Sequence, residues 1–212
     1  MVSASIWQKV FGIESAICDK NLDDNFIPLK KFDGYWYNFY YLEDTLDVRH
    51  DEKIVVLTKK DLYIGKNSKD DDWIFGYNEG RLSVISIARK KRYDNKPSNE
   101  VVVPIELYIR RIIAVAIHEI GHDVIKGNHL KEVKYVNART EYELGLGLHC
   151  SDNTCILYEI IDIVAPPRTE GYPMIGNERR YDAGLDDLLK RITKNWFCEN
   201  CRSNMVIDDK DK

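Results

Sequence analysis

The stretch IAVAIHEIGHDV, residues 113–124, sets His118 and His122 four positions apart with Glu119 between them in an otherwise apolar run. On a helix, positions i and i+4 share a face, so both imidazoles can reach one metal ion. A catalytic zinc takes three protein ligands and keeps a fourth position for water, whose pKa falls to about 7. Glu119 then stands where a general base can take the water's proton and pass it to a leaving amine. The pattern predicts metal-assisted hydrolysis, with a third ligand supplied from elsewhere in the chain. The competing reading is that the three polar side chains are satisfied by ordinary hydrogen bonds in the core, since short motifs recur by chance.

A second set of residues has metal-ligand character. The chain has five cysteines, and four of them form two close pairs, Cys150 with Cys155 in HCSDNTC and Cys198 with Cys201 in CENC; Cys18 stands alone. Four thiolates in two pairs suit a closed tetrahedral structural zinc. Such a site would tie the end of the chain to the loop that follows His149. Two disulfides or small buried thiols are the competing readings, disfavoured by the pairing and by a reducing compartment.

These side chains need a scaffold. KIVVLTKKDLYIG and RLSVISIARKK open on or contain β-branched runs bounded by turns and read as strands, with a further short strand in the aromatic part of KNSKDDDWIFGYNEG. Pro104 falls at or near the first turn of the next helix, which carries HEIGH. Ile105, Ile109, Ile112, Ala116 and Ile120 share one stripe, widened by Ile113 and Ile117, so the helix should be buried around most of its circumference. The first fifty residues hold aromatic clusters assigned to one strand and one helix. Residues 125–148 are less regular, and 159–181, with APPRTEGYPMIGNERR, cannot be a continuous helix. Leu185, Leu188, Leu189, Ile192 and Trp196 recur at helical spacing ahead of the last cysteine pair, and the tail IDDKDK looks frayed.

At 212 residues and a net charge of −4 the chain fits one domain, 1–212, large enough for a core without disulfides. The acidic balance gives no general attraction to nucleic acid or to an anionic membrane, and ARKKR at 88–92 reads as a solvated face. No apolar run reaches the length of a membrane span, and the amino terminus lacks a signal-peptide pattern, so a soluble cytoplasmic protein is expected.

Taken together, HEIGH, a histidine followed directly by cysteine, C-x4-C and a later C-x2-C resemble the archaemetzincins, zinc metalloproteases of the metzincin clan. VVLTKKDLYI and WIFGYNEGRLSVISIAR are similar to the family's strands and loop before its active-site helix, so the resemblance spans about residues 54–123 and 144–204. In the family the third histidine follows the second by six positions; here His149 follows His122 by 27, an insertion of 21 residues. LGLGLHC keeps the glycines and leucines of the family's turn, which favours His149 as third ligand. His129, and Glu141 or Glu143 at a thermolysin-like distance, stay open as alternatives. Leu157 occupies the place of the family's methionine beneath the metal, a packing position where leucine is close in volume; Met174 is a weaker substitute.

The resemblance implies an α/β (α+β) metzincin-like zincin fold: a twisted mixed sheet, a buried active-site helix and a C-terminal helix tied by a structural zinc, with insertions at about 124–143 and 159–181. It implies two zinc ions, one catalytic on His118, His122 and His149, one structural on Cys150, Cys155, Cys198 and Cys201, with Glu119 as catalytic base. The substrate would be a peptide or protein lying along an edge strand such as RLSVISIAR. A zinc-stabilised binding or regulatory module with little turnover is the alternative, and a nucleic-acid-binding zinc module is disfavoured by the charge.

Overall fold

The structure, a computed structural model, describes residues 10–11, 52–59, 62–63, 73–79, 82–92, 98–137, 142–158 and 196–206. Apart from Val10 and Phe11, the elements expected in the first fifty residues, Cys18, Glu141, the second insertion with Met174, the helical spacing from Leu185 to Ile192 and the charged tail lie outside the described residues.

Within them the chain is a mixed α/β fold with small sheets and few helices. Five strands come first: β1 (Ile54–Thr58), β2 (Leu62–Tyr63), β3 (Trp73–Ile74), β4 (Gly76–Glu79) and β5 (Leu82–Ser86). The β-branched and aromatic residues in them favour a pleated surface. β5 lies between β1, with which it runs parallel, and β4, with which it runs antiparallel, while β2 and β3 pair separately. The expectation that RLSVISIAR forms an edge is therefore corrected. Both sides of β5 are already paired, and among the described residues β4 is an edge strand. β5 is buried along its whole length. Its serines are tolerated because Ser83 Oγ donates to Asn78 Oδ1 at 2.7 Å and Ser86 Oγ accepts from the Ala88 N–H at 3.2 Å.

Pro104 caps α1 (Ile105–Val124). Isoleucine and valine give this helix little intrinsic preference, so burial must hold it; every residue from Arg111 to Gly121 is buried. Ile105, expected on the buried stripe, is exposed beside Val101 and Val102, because cover begins only at Leu107. The helix shares one core with Phe75 and Ile85 of the sheet region and with Cys150, Cys155, Ile156, Leu157, Phe197 and Cys201 from later in the chain. Leu82 and Val84, on the opposite face of β5 from Ile85, join Val56 and Leu62 in a smaller core.

ARKKR is not a solvated face. Arg89 and Lys90 are 4% and 1% exposed. Arg111 donates from Nη1 to the Lys90 and Arg92 carbonyls at 2.7 and 2.8 Å, and the Lys90 ammonium stands 2.8 Å from the centroid of the Phe75 ring. The turn after β5 is thus fixed to α1 rather than left in water.

Residues after α1 are more regular than the sequence reading. β6 (Leu130–Asn137) and β7 (Tyr142–Cys150) form an antiparallel hairpin, from Leu130 opposite Cys150 to Asn137 opposite Tyr142, with a register shift at Val133/Lys134. The alternation Leu144-Gly145-Leu146-Gly147-Leu148 is the period-two signal for it. The chain closes with the short helix α2 (Glu199–Ser203), capped by Cys198. Val206 N–H donates to the Val124 carbonyl at 2.7 Å and Lys126 N–H to that of Asn204 at 3.1 Å, joining the exits of α1 and α2.

Candidate metal centres

Two clusters have metal-ligand geometry. The first unites His118 and His122 of α1 with His149 of β7, their nitrogens all within 4.8 Å of one another. Helical spacing sets the first pair one turn apart with their rings edge to face, and their Nε2 atoms stand 3.0 Å apart. A tetrahedral ion with metal–nitrogen bonds of about 2.0–2.1 Å needs an edge of about 3.3 Å, so the pair requires little adjustment. Two of the rings are oriented by backbone. His118 Nδ1 lies 2.7 Å from the Ile156 carbonyl and His149 Nδ1 lies 3.2 Å from that of Gly147. Such bonds fix tautomer and ring angle, and for His118 they leave Nε2 with the lone pair a metal needs.

Burial, assisted by His149, lowers the pKa of His122 to about 3. His122 is therefore neutral at ordinary pH, the state in which imidazole ligates. His118 and His149 are buried as well.

Glu119 projects from the same turn and is buried, and burial raises its pKa to about 8 even though Lys53 and Lys90 pull it down. A divalent cation beside it would favour the carboxylate. Strand β4 passes close by: a Cβ built on Gly76 would stand 2.6 Å from Glu119 Oε1 and 2.9 Å from Val115 Cγ1. Only glycine fits that approach. The contact is kept by a polar clasp, in which Lys53 pairs with Asp123 and donates to Asn78 Oδ1 at 2.7 Å, and Asn78 Nδ2 donates to Asp123 Oδ1 at 2.7 Å. The end of α1 is thereby bound to β4 and to the residue that precedes β1.

The second cluster is Cys150, Cys155, Cys198 and Cys201, with sulfurs within 4.8 Å of one another and no disulfide among them. Cys150 and Cys198 sulfurs are 3.7 Å apart, Cys155 and Cys201 sulfurs 3.6 Å. A tetrahedron with metal–sulfur bonds of about 2.3 Å has edges of about 3.8 Å. Without a cation the set cannot ionise together. Cys155 is lowered to about 6 through its hydrogen bond with Cys201, whereas burial pushes Cys150 up to about 12 and the bond to Cys155 pushes Cys201 up. The donor set thus fits a metal in number, spacing and charge.

The two clusters share a frame. His149 and Cys150 are neighbours at the end of β7, and the Cys150 N–H donates to the Leu157 carbonyl at 2.9 Å. Cys155 is followed by Ile156, whose carbonyl faces His118 and whose N–H donates to the Trp196 carbonyl at 2.7 Å. Leu157 lies beneath this corner, fully buried, its Cδ1 3.0 Å from where a Cβ on Gly121 would be. Trp196, expected to continue the helical spacing from Leu185, instead takes a left-handed turn at φ 71° that leads into Phe197 and the last cysteine pair.

The seven preferred ligand residues therefore fall into two groups, with His149 brought to the helix pair across 27 residues. His129, left open as a third ligand for the helix pair, lies elsewhere: its Nε2 is 3.2 Å from Cys201 Sγ. Glu143 is on β7 opposite Val136, well up the hairpin from His149. The sequence reading misses the Ile156 carbonyl, for which it holds no signal, and Gly76, whose glycine inside an aromatic strand segment is one. Comparison of the chain with protein-family models, with curated proteins and with solved structures finds no match.

Proposed function

We propose that the chain is a zinc-dependent metallopeptidase of archaemetzincin type, a single metzincin-like domain with a catalytic zinc on His118, His122 and His149 and a structural zinc on Cys150, Cys155, Cys198 and Cys201. The observation that carries this is the arrival of His149, from a separate hairpin, at the two histidines that flank Glu119 on α1. When bound, zinc supplies a Lewis acid that polarises a carbonyl and lowers the pKa of water. The chain's own residues do the rest. The three imidazoles would hold the ion, with the Ile156 and Gly147 carbonyls setting the angles of His118 and His149. Glu119 takes the proton of the attacking water on a carboxylate oxygen and returns it to the departing amine. Gly76 lets β4 approach that carboxylate, which supports a substrate strand added along β4 rather than β5.

Among the described residues no helix is long and apolar enough to cross a membrane, and four free cysteines suit a reducing compartment, which together support a cytoplasmic setting. The test is digestion of a peptide library by zinc-loaded protein and by its Glu119→Ala variant. Cleavage by the wild type, lost in a variant that keeps its full metal content, is the expected result. Cleavage that persists in the variant points to a contaminant, and no cleavage by fully loaded wild type points to a zinc-stabilised binding module.

A further inference from the structure

The cysteine centre has a pattern of donors that its four ligands do not explain. Cys150 Sγ accepts from the Asp152 N–H at 3.4 Å, Cys155 Sγ from the Cys198 N–H at 3.5 Å and Cys198 Sγ from the Cys201 N–H at 3.5 Å. Among the described residues Cys201 Sγ receives no such backbone bond. It faces His129 Nε2 at 3.2 Å instead.

His129 is held there by the fold. Gly127, at φ 141°, turns the chain directly after α1, and the Leu130 N–H donates back to the Gly127 carbonyl at 3.2 Å. A Cβ on Gly127 would stand 2.9 Å from His129 Nδ1 and 3.2 Å from Asn204, so the glycine makes room for the ring. Leu130 then pairs with Cys150 at the base of the hairpin. The open end of the hairpin is thus anchored at the cysteine centre, the start of β6 through His129 on Cys201 and the end of β7 through Cys150.

We propose that His129 is an outer-sphere positioning residue of the cysteine centre, donating its Nε2–H to the Cys201 thiolate and so giving the fourth sulfur the N–H donor that the other three have from backbone. The inference rests on the reading of the four cysteines as a metal centre. Four thiolates on a dication leave two surplus negative charges, and each N–H draws density from one sulfur. The bond makes Cys201 a poorer nucleophile and fixes where the hairpin leaves the core. His149, one residue before Cys150 and paired with Lys131, inherits that register.

The experiment loads the full-length protein with cobalt(II) at the cysteines and compares the sulfur-to-cobalt charge-transfer band in wild type, His129→Phe, His129→Asn and His129→Gln. Phenylalanine removes the donor, asparagine falls short of the sulfur, and glutamine carries an N–H to about the position of Nε2. The first two are expected to move the band to lower energy, weaken metal retention on the order of tenfold against a chelator, and speed alkylation of Cys201 by iodoacetamide. Glutamine is expected to restore the wild-type band. A band present in wild type and unmoved in both the phenylalanine and the asparagine variants overturns this inference alone. No thiolate-to-cobalt band in wild type overturns the reading of the cysteine centre along with it.

Discussion

His118 Nδ1 lies 2.7 Å from the carbonyl of Ile156, and Ile156 is the residue after Cys155. A member of the cysteine cluster is therefore one peptide bond from the residue whose carbonyl aims a member of the histidine cluster. On the other side His149 and Cys150 are joined directly. Whatever fixes the cysteines fixes two of the three imidazoles.

That coupling predicts an effect at a distance. Cys198→Ser removes one sulfur from the far cluster and touches none of the histidines, yet it should lower metal affinity at the histidine centre by about 10–100-fold, the usual effect of losing outer-shell support. Chelator competition on the variant measures this. Unchanged affinity would mean that the two centres are independent.

Glu119 gives a pH signature in protein stripped of metal at the histidine centre. Its pKa is raised from 4.5 to about 8 by burial, so the folded state binds the proton more tightly than the unfolded state. The resulting stability is complete below about pH 4.5 and is lost as pH rises toward 8. Glu119→Gln lacks this titration. Its stability relative to wild type should therefore rise between pH 5 and pH 8, as read by urea denaturation; a difference that stays constant over that range would show that the carboxyl is not buried.

Gly76→Ala tests the approach of β4 to the base. The added methyl would meet Glu119 Oε1 and Val115 Cγ1, a small-to-large change expected to cost about 1–3 kcal/mol. Metal analysis should give the wild-type stoichiometry while hydrolysis falls, because the ligands are untouched and the base is displaced. Wild-type turnover in the alanine variant would remove Gly76 from the site.

Leu157 is expected to act through packing. Leu157→Met, close in volume, should cost less than about 1.5 kcal/mol, and Leu157→Ala about 2–5 kcal/mol, because the side chain is fully buried against Gly121 and cannot be replaced by solvent. Denaturation midpoints decide this. An alanine variant as stable as wild type would place Leu157 outside the support of the metal corner.

Much of the candidate site is legible in the sequence, for reasons of local geometry. His118, Glu119 and His122 need only the helical period to share a face, and the paired cysteines announce themselves by spacing. β5 and α1 are legible because long apolar patterns leave few alternatives. The hairpin is readable in the Leu–Gly alternation of residues 144–148, but the shorter family turn competes with it as an explanation of the same glycines. Lys90 misleads because charge in a sequence suggests water, and only the fold shows an aromatic ring beneath it. The choice between His149 and His129 depends on which way the hairpin leaves α1, a long-range property set by Gly127 and by the pairing of Leu130 with Cys150. The Ile156 carbonyl is invisible in principle, since every residue has one.

The proposed chemistry requires a single ion shared by His118, His122 and His149. Anomalous difference density collected at the zinc edge from crystals of the zinc-loaded protein tests it most directly. The expected result is one peak about 2.0–2.1 Å from a nitrogen of each of these three residues and a second about 2.3 Å from the four cysteine sulfurs. A peak at the cysteines alone, with the His149 ring turned away from His118 and His122, would contradict it.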